Sequence, residues 1–426
     1  VRRPIARGGR RGVGGLALAG AAPPHPRAKL RYPVPSVFSS RLSFDLRPNR
    51  LTAALARLGE ARVPVDDLTE SNPTRAGLAY PARLLDALGG RAGLEYDPQP
   101  FGLMAAREAV AGDYRRRGIQ VPRERVALTA STSEAYSLLF KLLCDPGDEV
   151  LVPVPSYPLF EHLAGLDAVA PRPYRLEYHG SWAVDVDGIR RATTDRTRAV
   201  VVVSPNNPTG SYLKRAELDA LAAHCGERGL ALIGDEVFAE YVLEADLPRT
   251  ASVLGQRQAL AFSLGGLSKG LGLPQLKLGW MAVTGPDDLV RQALERLELV
   301  CDTYLSVATP VQIALPSLLG DGAIVRTQIR ERVARNHQAL AEAAAGCPAV
   351  GVLRAEGGWH AVLRVPAMQS EESLVLQILE KEHVLVHPGY FYDFPSEAFL
   401  VVSLLPRPDV FDRAVSRVIA RIEAAA

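Results

Sequence analysis

The chain has 426 residues, 47% hydrophobic and 23% charged, a balance typical of water-soluble globular proteins with room for two or three domains. No apolar run approaches the roughly 18 residues of a membrane-spanning helix. The four cysteines, Cys144, Cys225, Cys301 and Cys347, lack the spacing of a metal site or disulfide framework and read as small buried hydrophobes in a reducing, cytoplasmic setting.

Net charge is +2, yet residues 1–44 hold nine basic residues and no acidic one. That leaves 40 basic against 47 acidic beyond them, so no nucleic-acid partner is suggested. Residues 1–32, rich in Arg, Gly, Ala and Pro, read as a disordered leader, with a targeting segment as the alternative. The fold is expected to begin between Pro33 and Leu46. A helical pattern from Leu51 to Leu58 precedes Asp67-Leu68-Thr69-Glu70-Ser71-Asn72-Pro73-Thr74-Arg75, and Tyr96-Asp97-Pro98 precedes a helix predicted over Leu103 to Arg117. Val126 to Thr129 reads as a strand that gives way, at Ser131-Thr132-Ser133, to a helix reaching Leu143. Hydroxyls and unpaired backbone N–H groups at such a junction suit an anion, plain helix capping being the other reading. A strand over Val150 to Val154 then leads to Pro155-Ser156-Tyr157-Pro158.

Three buried-strand signals follow, each ending at a polar motif. Ala199 to Val203 precedes Ser204-Pro205-Asn206-Asn207-Pro208-Thr209-Gly210, Leu230 to Ile233 precedes Gly234-Asp235-Glu236, and Leu260 to Leu264 precedes Ser268-Lys269. Short apolar runs separated by helical stretches read as parallel strands, and ligands bind such sheets at the carboxyl ends. An amide, a carboxylate and an amine are thereby expected on one rim. Lys269 stands out because the chain has only 6 lysines against 43 arginines; an amine forms a Schiff base and a guanidinium does not. Beyond it come a strand over Met281 to Val283, helices over Pro286 to Val300 and Ile324 to Ala345, short strands at Gly351–Leu353, His360–Val365, Val384–Val386 and Phe399–Ser403, and a last helix over Pro408 to Ala424.

With these motifs in this order, the chain resembles, over residues 45–420, the class I/II aminotransferases of the fold-type-I pyridoxal-phosphate enzymes. The resemblance implies an α/β fold: a large domain (71–310) with a mostly parallel sheet flanked by helices, a smaller α+β C-terminal domain (311–426), and an N-terminal segment (33–70) packing on the latter. It implies pyridoxal 5'-phosphate as cofactor, with Lys269 as Schiff-base lysine and general base, Asp235 on the ring nitrogen and Asn207 on the ring oxygen. Ser131, Thr132, Ser133, Ser268 and Lys277 would serve the phosphate, and Tyr157 would stack on the ring. Tyr96 would reach the phosphate of the neighbouring subunit in a homodimer.

Three positions depart from the family pattern. Lys277 stands where an arginine is usual, Phe238 where a tyrosine is usual, and Val401 where an arginine grips the substrate carboxylate. Either another cation takes that last role, or the substrate is an amine without an α-carboxylate. Arg75, with Asn72 beside it, is the first candidate, His360 behind Trp359 the second and Arg407 the third. Tyr157, Trp359, Tyr390, Phe391 and Tyr392 hint at an apolar or aromatic donor side chain. The implied reaction transfers an amino group from an amino acid or amine to a 2-oxo acid. A β-lyase or decarboxylase on the same scaffold is the alternative, followed by a non-catalytic cofactor-binding module. No metal, membrane or nucleic-acid partner is expected.

Overall fold

The computed structural model describes residues 37–42, 47–244 and 249–425; the leader expected over 1–32 lies outside them. In chain order come α1 (Arg50–Glu60), β1 (Asp66–Asp67), α2 (Met104–Arg116), β2 (Val126–Thr129), α3 (Thr132–Leu143), β3 (Glu149–Val154), α4 (Leu159–Leu166), β4 (Ala170–Tyr178), β5 (Trp182–Val184), α5 (Val186–Ala192) and β6 (Thr197–Val203). Next are α6 (Arg215–Arg228), β7 (Ala231–Asp235), β8 (Ala261–Gly266), the one-turn α7 (Leu267–Gly270), β9 (Gly279–Thr284), α8 (Asp287–Tyr304), α9 (Thr309–Asp321) and α10 (Ala323–Ala345). The chain closes with β10 (Gly351–Val352), β11 (His360–Arg364), α11 (Glu371–Glu382), β12 (Val384–Leu385), β13 (His387–Pro388), β14 (Phe399–Ser403) and α12 (Pro408–Glu423).

Among the described residues, the large sheet has eight strands in the order β2-β9-β8-β7-β6-β3-β4-β5. Pairing is parallel from β8 through β7, β6 and β3 to β4, and antiparallel where β9 meets β2 and β8 and where β5 meets β4. The central strands are apolar on both faces because both are covered. Val200, Val202 and Leu232 enter one buried cluster while the alternating Val201 and Ile233 enter another, so each valine run fills two cores at once.

Since β6, β7 and β8 run the same way, Val203, Asp235 and Gly266 close their strands at one rim. Thr129, the last residue of β2, reaches the same rim, where it opposes Gly279, the first of β9; Gly279 also opposes Gly266. Everything that follows these strand ends in sequence is delivered to one crevice.

A second, antiparallel sheet, β10-β11-β14-β13, lies within the last hundred residues, with α10, α11 and α12 nearby. Phe411, Ala414, Val415, Val418 and Ile422 form the buried stripe of α12 at helical spacing. Residues 50–67 are stitched onto this part: α1 packs on α11, and β1 pairs in parallel with β12.

The strand expected over Val384–Val386 is one residue shorter, and a separate two-residue strand follows it. Val384–Leu385 pairs with β1, whereas His387–Pro388 pairs with β14. The change of partner falls at Val386, between the two.

Candidate active site

Lys269 sits in α7, immediately beyond the rim end of β8. The Tyr241 hydroxyl donates to its main-chain carbonyl at 2.6 Å, which fixes the backbone that carries the amine. Its Nζ donates to the Ser71 carbonyl at 3.3 Å and lies over the rings of Trp359 and Phe238. Burial lowers the ammonium pKa to about 8, opposed by the negative charge of Glu70.

Asp235 closes the neighbouring strand β7. Burial raises its pKa to about 6, against the pull of two donors: the Val237 N–H at 3.3 Å and the Tyr136 hydroxyl at 3.2 Å. Tyr136, buried in the first turns of α3 against Phe160, was not singled out by sequence reasoning. Its position just beyond Ser131-Thr132-Ser133, on a helix starting at the same rim, was the available signal. Tyr157 is 38% exposed; burial first, then the nearby Asp235 charge, push its hydroxyl up to about 12. Asn206 holds the segment just before Tyr157, donating to the Pro155 carbonyl at 3.0 Å and accepting from the Ser156 hydroxyl at 2.9 Å. Beside it, the Oδ1 of Asn207 is buried with no hydrogen-bond partner among the described residues. Because the two ends of an amide are assigned from their surroundings, this orphan marks a place where either a donor or an acceptor is wanted.

The third part of the rim is the start of α3. Ser131 caps it, accepting from the Glu134 N–H at 3.1 Å, while the Glu134 side chain accepts from the Ala130 N–H at 2.6 Å. The Ser131 hydroxyl proton remains available, alongside the half-buried Thr132 and exposed Ser133. Ser268 is half-buried next to Lys269. Lys277 is exposed with φ of 48°, two residues before Gly279, the neighbour of Thr129. An anion cradle, an unpaired amide, a buried carboxylate and a partly desolvated amine are the donor set pyridoxal phosphate needs for its phosphate, ring oxygen, ring nitrogen and aldehyde. The residues fit the group.

The opposite wall comes from residues 68–75 and the smaller sheet. Ser403 donates its N–H to the Leu68 carbonyl at 2.6 Å and its hydroxyl to the Glu70 carbonyl at 2.7 Å, and Leu404 N–H donates to the Trp359 carbonyl at 2.7 Å. These bonds hold the Glu70–Ser71 turn over Lys269. No residue of β14 carries a positive charge, and Val401 is buried between Val362 and His387.

Arg75 is exposed, near enough to Glu70 to pull its pKa down, although burial has the larger effect and raises it. Asn72 caps the turn that carries Arg75, accepting from the Thr74 N–H at 3.1 Å. His360 is buried, and that burial, with Lys269 and His387 nearby, lowers its pKa to about 3; it offers a hydrogen bond but no charge at neutral pH. His387 is likewise held neutral, its pKa lowered to about 4 by burial, with the Tyr392 hydroxyl 3.0 Å from Nδ1. Arg407 is paired with Asp409 at 3.0 Å. Phe391 and Tyr392 are buried and Tyr390 half-buried. Tyr96 is 72% exposed, and no hydrogen bond or ring contact joins it to this cluster among the described residues.

Comparison with known proteins converges on one family. The family described as aminotransferase class I and II matches residues 76–418. The glutamate-pyruvate aminotransferase AlaA of Escherichia coli is 26% identical over 300 residues, covering 69% of this chain and 74% of that protein. An alanine aminotransferase of Mycobacterium bovis is 27% identical over 287 residues, covering 66% of this chain and 67% of its own. Among solved structures, the alanine aminotransferase from Pyrococcus furiosus shares the fold with a TM-score of 0.83 at 24% identity, over 91% of this chain and 100% of that one.

Proposed function

The chain belongs to the class I and II aminotransferases, pyridoxal-phosphate-dependent enzymes that pass an amino group to a 2-oxo acid, and on that premise we propose that Lys269 is the amine that joins the cofactor aldehyde and then serves as general base. The observation that carries this reading is the meeting of Lys269, Asp235 and Asn207 at one rim beside the start of α3. When bound, pyridoxal phosphate supplies an aldehyde that captures amines and a protonated ring that draws electrons from the donor carbon.

Asp235 keeps the ring nitrogen protonated, and its own burial, with only donors for partners, suits it to a positively charged N–H. Asn207 donates to the ring oxygen. Phe238 adds no second donor there. Ser131, Thr132, Ser133 and Ser268 receive the phosphate with the N–H groups of α3, and Lys277 adds charge without the bidentate fork of an arginine. Tyr157 covers one ring face. At Lys269, Nζ takes the proton from the donor carbon and returns a proton on the cofactor side.

Residues 71–310 form the cofactor-binding part, and 311–426, with α1 and β1 packed on it, the part that faces the donor. Tyr96 extends to the phosphate of a neighbouring subunit in a cytoplasmic homodimer; its exposure, with that of Leu85 and Leu94 nearby in sequence, supports a partner there.

Arg75, with Asn72 beside it, holds the donor α-carboxylate, since β14 offers no cation and His360 is neutral. The two relatives named for glutamate-pyruvate and alanine transfer make alanine with a 2-oxo acid the first pair to try. Alanine added to the cofactor-loaded protein should bleach the visible band of the Lys269-bound cofactor, and a 2-oxo acid should restore it. In Arg75→Ala, half-bleaching should need roughly tenfold more alanine, the loss of about 1.4 kcal/mol of contact. Bleaching by simple primary amines but by no amino acid would overturn the carboxylate role of Arg75. A band that no donor bleaches reversibly would overturn the aminotransferase reading.

A further inference from the structure

The amine of Lys269 lies 5.0 Å from the ring centroid of Trp359 and 5.9 Å from that of Phe238. Both are within the ~6 Å at which an aromatic face attracts a cation. On another side the Ser71 carbonyl accepts from Nζ at 3.3 Å, and the Glu70 carboxylate adds its field. None of this surrounding is loose. Trp359 is fully buried, edge-on to Phe238 at 5.2 Å and to Tyr241 at 5.1 Å, and Tyr241 holds the Lys269 carbonyl. The Glu70 carbonyl is tied to Ser403, and its Oε1 accepts from the Asn72 N–H at 2.8 Å.

A neutral amine needs one hydrogen-bond partner; it gains little from two ring faces, a carbonyl and a carboxylate together. An ammonium gains from all four. We propose that Glu70, Ser71, Phe238 and Trp359 form a seat for the Lys269 ammonium, the form it takes once the donor amine has displaced it and it has bound the proton leaving the donor carbon. In that step the donor C–H bond breaks, an N–H bond forms at Nζ, and the electron pair left on the donor carbon would be drawn towards the protonated cofactor ring. Glu70, Phe238 and Trp359 are thereby positioning residues. Phe238, which lacks the hydroxyl usual in the family, contributes a ring face in its place.

The inference rests on Lys269 being the cofactor-joining amine and adds what holds that amine after release. The other titratable groups facing the seat are few. His360 on β11 is neutral, Arg75 and Asp67 act on Glu70 from the crossing segment, and the Tyr241 hydroxyl is engaged with the main chain.

The scarcity of lysine makes a direct test practical. The enzyme is produced with isotope-labelled lysine and loaded with pyridoxamine phosphate, which leaves Lys269 free. Its side-chain resonance, one of six and identified by its loss in Lys269→Arg, is followed with pH. In Glu70→Gln, Trp359→Leu and Phe238→Leu the protonation midpoint of Lys269 should fall by about one pH unit relative to the unaltered protein. Trp359→Phe, which keeps a ring face, should restore most of it. An unchanged midpoint in Glu70→Gln and in whichever ring variant folds overturns the seat. Absence of a visible band in the unaltered protein loaded with pyridoxal phosphate would instead overturn the role of Lys269 itself, so the two failures are distinguishable.

Discussion

Burial acts on Lys269 and Asp235 in opposite senses. It lowers the lysine to about 8 and raises the aspartate to about 6, so each is brought towards its neutral form near neutral pH. For Asp235 this has a consequence for the cofactor-free protein. An unfolded chain gives up that proton near pH 3.8, whereas the folded one keeps it to about pH 6. Between those values the folded state binds more protons, so the contribution of Asp235 to stability is fully present below about pH 4 and is lost as pH rises through 6. The loss at pH 7 is roughly 2 to 3 kcal/mol. Asp235→Asn, whose Oδ1 can still accept from the Val237 N–H and whose Nδ2 can donate to the Tyr136 hydroxyl oxygen, should therefore melt higher than the unaltered cofactor-free protein at pH 7 and equally near pH 4. Cofactor affinity should fall in the same variant. A lower melting temperature at pH 7 would contradict the burial account of this carboxylate.

At the scale of elements, the site depends on loops from separate parts of the chain meeting closely. Gly210 ends the Asn207 loop with φ of 72°; a Cβ there would lie 2.5 Å from the Gly357 carbonyl oxygen. The Gly210 carbonyl in turn accepts from the N–H groups of Glu356 and Gly357 at 3.1 and 2.9 Å, just before Trp359. Gly229, which ends α6 with φ of 66°, has nothing within 4 Å of such a Cβ. Gly229→Ala should cost only the left-handed backbone penalty, about 1 kcal/mol. Gly210→Ala should cost about 2 to 4 kcal/mol through backbone strain and the clash together. Thermal melts and cofactor titrations should show the larger fall, and weakened cofactor binding, only for Gly210→Ala; equal effects would contradict the loop contact.

The same scale explains what the sequence made legible. Asn207, Asp235 and Lys269 follow strands whose apolar runs are strong local signals, so their meeting at one rim is already implied by strand order. The seat around Nζ was not readable, because Trp359 reaches it only through the return of the last hundred residues, and Ser71 only through the bonds from Ser403. Tyr136 became visible as a partner of Asp235 only once α3 was placed against β7. The division of Val384–Val386 from His387 reflects a choice of strand partner that no local pattern encodes.

Taken as a whole, the molecule brings a cofactor rim on one sheet beside a second sheet, with the crossing segment from Asp67 to Arg75 running between them. No helix among the described residues is long and apolar enough to cross a membrane, and no group of metal-ligating side chains occurs among them. Membership of the aminotransferase class I and II family gives the chemistry at the rim to pyridoxal phosphate and the groups that hold it. Arginine supplies nearly all positive charge across the molecule, which leaves six amines as possible attachment points. Borohydride reduction of the pyridoxal-phosphate-loaded protein, followed by peptide mapping, fixes the cofactor wherever it is covalently held. The label is expected on the Lys269 side chain itself, located by fragmentation of its peptide, and on none of Lys29, Lys141, Lys214, Lys277 or Lys381. Label on any of those five, or none after loading, would contradict the account.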